Sequence, residues 1–94
     1  MTVPPRRTEP WNDTVASPRL DAVVASLCRL SREKAHTAVT GGLVEVDFAL
    51  RERPDFFLEA PCLISVRGFG RYRILSLLEE TKKGRLRLVA ERFV

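Results

Sequence analysis

Residues 17–46 read SPRLDAVVASLCRLSREKAHTAVTGGLVEV, and a change of hydrophobic period inside this stretch decides the fold. Leu20, Val23, Val24 and Leu27 recur at i, i+3, i+4 and i+7 and form one apolar stripe, with Arg19 and Arg29 outside it. Ser17-Pro18 is a favourable opening for this first helix, over about 18–28. Serine can cap free amides, and proline at the first helical position gives up no needed hydrogen bond. Asp21 then faces the positive end of the helix dipole. Ser31 is a second cap, Glu33 lies in the first turn that follows it, and Ala35, Ala38 and Val39 give a narrower apolar face. Gly41-Gly42 ends this helix, because glycine tolerates the left-handed backbone that a helix end favours. Two helices joined by so short a link form a compact pair, beyond which Val44 and Val46 alternate with Glu45 and Asp47 in a strand.

C-terminal to this stretch, 49–61 mixes charges with Pro54, Phe56, Phe57 and Leu58 and reads as a loop pinned by aromatics. Cys62, Ile64 and Val66 alternate with Ser65 and Arg67 in a second strand, and Gly68-Phe69-Gly70 is a turn. A third strand runs from Arg71 to Leu78, with Tyr72 and Ile74 on one side and Arg71 and Arg73 on the other. After a turn at Thr81–Gly84, Leu86, Leu88 and Ala90 alternate with Arg85 and Arg87 in a fourth. The expected fold is α+β: a two-helix unit packed on a small, mainly antiparallel sheet of about four strands, forming one domain over 17–94. N-terminal to it, 1–16 shows neither period and reads as a flexible linker or an edge left from expression, so Met1 to Thr14 is expected to be dispensable for folding.

A chain of 94 residues holds one modest core, and 45% hydrophobic with 30% charged residues is far from the composition of disorder. No run approaches the roughly 18 apolar residues of a membrane span, and the N-terminus lacks the apolar segment of a signal peptide, so a cytoplasmic protein without membrane contact is expected. Of the 16 basic residues 13 are arginine, whose planar fork matches phosphate oxygens. They are unevenly placed: residues 60–94 carry eight Lys/Arg against three Asp/Glu, whereas 17–59 carry six against seven. The excess points to a polyanionic partner.

Position sharpens this reading. Arg19, Arg32 and Lys34 fall at the N-terminal ends of the two helices, where free amides and the dipole favour phosphate. Arg67, Arg71, Arg73, Lys82, Lys83, Arg85 and Arg87 fall on strands and turns, mostly opposite the apolar face, and form a broad basic surface. Phe69, at a glycine turn between basic residues, is a candidate for stacking on a base. Catalysis finds little support. Gly68-Phe69-Gly70 lacks the third glycine and the following helix of a dinucleotide fingerprint, and His36 has no partner placed to make a nucleophile and base pair. Cys28 and Cys62 are too few and too far apart for a zinc site and read as buried thiols. No cofactor or metal is expected, and no enzyme.

Arg19-Leu20-Asp21, Leu30-Ser31-Arg32, Lys34-Ala35, Val39, Gly42 and Val44-Glu45-Val46 resemble the RNA-binding domain named after the fourth protein of the small ribosomal subunit. Ile64-Ser65-Val66-Arg67-Gly68-Phe69-Gly70-Arg71 and Thr81-Lys82-Lys83-Gly84-Arg85 are similar to the C-terminal part of YlmH-type bacterial proteins. Together these stretches cover about 17–94. The resemblance implies that Arg19, Ser31, Arg32 and Lys34 face RNA. It also implies that the partners are ribosomal RNA of the large subunit, tRNA and the ribosome, with a role in translation quality control; separately, a monomer is expected. Asp47 departs from the module, which often has Asn followed by Gly there, and an acidic residue beside phosphate is expected to be repulsive. Two other readings stand beside it: docking of the basic sheet on an acidic protein, and a targeting domain for an RNA-modifying enzyme.

Overall fold

The computed structural model describes residues 8–80 and 84–93. Helix α1 spans Leu20–Cys28 and α2 spans Arg32–Thr40. The strands are β1 (Thr8–Val15), β2 (Val44–Val46), β3 (Ala49–Leu50), β4 (Cys62–Val66), β5 (Gly70–Glu80) and β6 (Arg85–Phe93). All pair antiparallel in one sheet of order β1-β6-β5-β4-β2-β3. The α+β class is as expected, but the described residues hold six strands rather than four.

The core forms because each element offers its apolar period to the same side. Leu20, Val23, Val24 and Leu27 of α1 and Ala35 and Val39 of α2 are buried together with Val44, Val46, Ile64, Val66, Tyr72, Ile74, Leu88 and Ala90. The strand members of that set lie at alternate positions, so the helices cover one sheet face and leave Ser65, Arg71 and Arg73 on the other. In β5 the alternation breaks at Leu75, where a register shift between Ile74 and Ser76 inserts one residue. The bulge leaves Leu75 and Leu78 exposed and returns Leu77 to the core side opposite Leu88.

The largest departure from expectation is β1. The supposed linker contains an eight-residue strand, registered from Thr8↔Phe93 to Val15↔Leu86. Its pattern was hidden because Asp13 shares a face with Trp11 and Val15, which breaks the apolar alternation. That polar position is satisfied by α1: Ser26 Oγ donates to Asp13 Oδ2 at 2.6 Å, and Trp11 Nε1 donates to Ser26 Oγ at 3.2 Å. Pro10 costs little here, because β1 is an edge strand.

The helix ends also differ from the sequence reading. α1 starts at Leu20 with Arg19 at its cap position, and Ser17 Oγ accepts from the Arg19 amide at 3.4 Å instead of capping the helix. The amides of Leu20 and Asp21 donate to the carbonyls of Phe56 and Pro54, at 2.8 and 3.1 Å, so the 54–58 loop serves this terminus. α2 is capped as expected, Ser31 Oγ accepting from the Lys34 amide at 3.1 Å. Gly42, at φ +78°, turns the chain out of α2 while the Leu43 amide reaches the Ala38 carbonyl.

The two helices are tied by a buried carboxylate. Asp21 is 3% exposed, and its oxygens meet Arg19 Nε at 3.2 Å and a terminal nitrogen of Arg32 at 3.2 Å, while the Ala22 amide donates to Oδ1 at 2.8 Å. A buried charge without such partners is strongly unfavourable.

Two stability measurements follow from these contacts. Deleting residues 1–14 removes most of β1 and should lower the melting temperature by well over 4 to 8 °C, the shift that about 1 kcal/mol gives in a domain this size; an unchanged melting curve would show that the β1 ladder contributes nothing. Asp21→Ala should cost about 2 to 4 kcal/mol in urea denaturation, because it uncouples both arginines. Breaking the Arg53–Asp55 pair, whose side chains are 81% and 58% exposed, should cost less than about 1 kcal/mol.

Candidate nucleic-acid interface

The basic residues separate into groups that the sequence could not tell apart. At the α1–α2 junction, Arg19 and Arg32 converge on Asp21 with roughly half of each side chain exposed, at 40% and 51%. One carboxylate against two guanidinium groups leaves a net positive junction, with both forks oriented before any ligand arrives. Lys34, one position into the first turn from Glu33, is exposed and makes no ion pair among the described residues. Ser31 has its hydroxyl engaged as the α2 cap, so its part in the junction is to order the first turn that carries Arg32 and Lys34.

The expected anion site at α1 is not formed by free amides. Its first two are taken by the Phe56 and Pro54 carbonyls, and the Arg19 guanidinium is the cation that remains at that end. The beginning of α2 is different. Ser31 serves the Lys34 amide and its carbonyl accepts from Ala35, while the amides of Arg32 and Glu33 have no intrahelical acceptor. Arg32 and Lys34 both stand at this terminus.

Arg67 and Arg71 lie at the opposite end of α2. With Gly42, Leu43, Ser65 and Phe69 they line a shallow depression between the helix end and the β4–β5 turn. Arg73 is on the uncovered sheet face, over the Phe93 ring at 5.6 Å and in register with Glu91. Arg85, at the start of β6, instead reaches the helix side, where it lines a depression with Arg32, Ala22 and Ser26. The broad basic surface is thus at least two surfaces on opposite faces, with Arg85 belonging to the helix face. Lys82 and Lys83 lie outside the described residues.

Sequence reasoning missed Arg29, Arg92 and Trp11. Arg29 ends α1 in the left-handed region at φ 54°, with its guanidinium 5.1 Å from the centre of the Trp11 ring. Together with Phe69, Tyr72 and Arg92 these residues line one depression. Nothing in the local pattern of Arg29 or Arg92 marked them, because the strand that brings Trp11 to them was itself unrecognised.

Asp47 is also explained. Asp47 and Phe48 both have positive φ, 50° and 68°, in the two-residue turn that pairs Val46 with Ala49. Asp47 Oδ1 accepts from the Leu63 amide at 3.0 Å while its own amide donates to the Leu63 carbonyl at 2.8 Å, which extends the β2–β4 ladder by one residue. Its carboxylate accepts from a neutral backbone donor, so it orders the turn and keeps its negative charge. Phe48 occupies the position that favours glycine and is 72% exposed.

The thiols have no sign of activation. Burial raises the pKa of Cys28, against a smaller lowering by the Tyr72 hydroxyl, and burial together with Asp47 pushes Cys62 up to about 11. Both are protonated at neutral pH, the opposite of a nucleophilic cysteine. Among the described residues, no three His, Cys, Asp or Glu side chains are grouped to hold a metal, and no helix is long and apolar enough to cross a membrane.

No family model matches the chain. The chain is 40% identical over 92 residues to the ribosome-associated protein quality control protein P2 of Bacillus subtilis (strain 168), a match covering 98% of this chain and 36% of that protein. The chain therefore spans about a third of the length of the curated relative that it matches.

Proposed function

We propose that this chain is a non-catalytic RNA-binding domain that grips structured ribosomal RNA or tRNA by backbone and shape, and that it acts at the large ribosomal subunit in translation quality control. The observation that carries the reading is the α1–α2 junction, where a buried Asp21 holds two partly exposed arginines beside the open first turn of α2 and Lys34. Guanidinium groups fixed in advance lose little freedom on meeting phosphate, and Lys34 adds a point charge beside them. The ribosomal setting is supported by the name of the Bacillus relative, which describes a protein quality control factor associated with the ribosome.

The reading treats the module as a monomer that needs no cofactor. In this reading reaction chemistry is left to other components, and burial holding both thiols protonated is in keeping with it. Recognition by shape fits the short reach of a two-helix unit, which can span phosphates of a folded RNA without entering its deep groove.

The decisive comparison uses two doubles with the same formal charge change. Arg32→Ala with Lys34→Ala should weaken binding to ribosomal subunits or tRNA by about 10- to 100-fold more than Arg51→Ala with Arg53→Ala, as loss of charge-assisted bonds to phosphate requires. Arg51 lies 4.7 Å over the Phe56 ring and Arg53 is paired with Asp55, so both belong to the loop. Because Arg32 also supports Asp21, Lys34→Glu alone is measured in parallel, with circular dichroism to confirm the fold. Equal losses in filter binding at matched salt would remove the helix pair as the recognition element.

A further inference from the structure

Three shallow depressions on the helix side share walls and form one groove. The first is lined by Arg85, Arg32, Ala22, Ser26 and Asp13. The second shares Asp13, Ala25 and Ser26 with it and adds Trp11 and Arg29. The third shares Trp11 and Arg29 with the second and ends at Phe69, Tyr72 and Arg92, in a depression of about 180 Å³. The groove therefore runs along β1 and α1, with Arg32 and Arg85 at one end, Trp11 and Arg29 in the middle, and Phe69, Tyr72 and Arg92 at the other.

We propose that this groove takes an unpaired, single-stranded segment of RNA. One base would lie against Trp11 and Phe69, with the flanking phosphates at Arg29 and Arg92 on one side and at Arg32 and Arg85 on the other. Four observations support that occupant. Trp11 lines two of the depressions, and its half-buried indole, packed against the core with Arg29 over the ring, is fixed by the Ser26 hydroxyl, so its position needs no further ordering. Phe69, 42% exposed at the β4–β5 turn, lines the same depression as Trp11. The floor beneath is buried and uncharged: Tyr72 lies 3.8 Å from Cys28 Sγ, and burial, with Cys28 beside it, raises its pKa to about 12. The four arginines of the groove meet three carboxylates, which leaves an excess of positive charge: Asp13, which already accepts from Ser26 and from the Thr14 amide, Glu9, opposite Arg92 across the β1–β6 ladder, and Asp21, paired with Arg32. The stretch between Trp11 and Phe69 thus suits a base, and the arginines beside it suit phosphate.

This deepens the RNA-binding reading, because Arg32 belongs both to the helix junction and to the near end of the groove. A folded RNA seated on the junction could pass an unpaired extension along β1. The two claims remain separable by their ligands, one requiring folded RNA and the other a short strand without structure.

Trp11 is the sole tryptophan of the chain, so its emission reports on the groove directly. The full chain is titrated at low salt with a uridine hexamer, with a blunt-ended RNA duplex of two strands, and with polyglutamate as an acidic peptide. The hexamer should quench Trp11 saturably, whereas the duplex and polyglutamate should not. Phe69→Ala and Arg92→Gln should each weaken the hexamer by about fivefold or more, as loss of a stacking ring or a phosphate contact does. Lys34→Glu should leave hexamer binding within about twofold while reducing binding of folded RNA. Absence of quenching, quenching by polyglutamate equal to that by the hexamer, or indifference to Phe69→Ala would each overturn the groove assignment. Quenching by the hexamer that survives while Lys34→Glu leaves folded RNA unaffected would instead sink the junction reading and keep the groove.

Discussion

Asp21 is the constraint on which the rest of the structure depends. A carboxylate buried to this degree is tolerable only if its oxygens are satisfied, and here they are met by two guanidinium groups and a backbone amide. Arg19 reaches it from two residues upstream and Arg32 from the start of the next helix. The pair of helices is thereby locked at one crossing without a long apolar seam, which the small faces of α2 could not supply. The same arrangement orients two cations toward solvent. Stability and the candidate function thus share a single electrostatic centre, and a substitution there alters both.

A sheet covered on one face only creates a second constraint. Its inner face needs helices, and its outer face must remain compatible with water, which the exposed Arg71 and Arg73 on β5 provide. Such a sheet also has two edges. β3 closes one with a two-residue strand, and β1 closes the other with Pro10 and exposed polar residues, both features that discourage pairing with another chain. β1 is therefore more than a lid on β6. By carrying Trp11 and Asp13 to Ser26, it makes the contact that joins the sheet edge to α1.

The parts legible in the sequence were those whose signal is local. The α1 stripe, the Ser31 cap, the glycine exit from α2 and the alternation in β2, β4 and the first half of β5 all follow from neighbouring residues, and all are found in the structure. What escaped depends on partners far along the chain. β1 was unreadable because Asp13, on the same side as Trp11 and Val15, interrupts the apolar alternation and is held there by Ser26, and Ser17 lost the α1 cap because carbonyls from the 54–58 loop took its place. The candidate site divides the same way. Arg19, Arg32 and Lys34 could be placed at helix starts from their neighbours, whereas the tie through Asp21, and the meeting of Arg29 and Arg92 around Trp11, exist only after the sheet has formed.

The distribution of charge follows from this order of formation. Alternation in β5 sends Arg71 and Arg73 to the uncovered face regardless of any ligand, since their neighbours Tyr72 and Ile74 must be buried. Those arginines explain themselves as parts of a water-facing sheet. Arg32 and Arg85 are not explained that way: they come from a helix start and a strand start, and face a common depression beside α1. Convergence of cations from separate elements, against the tendency of like charges to part, requires something that compensates them. Asp21 compensates Arg32 from within, and one buried carboxylate shared between Arg19 and Arg32 leaves the junction with a net positive charge.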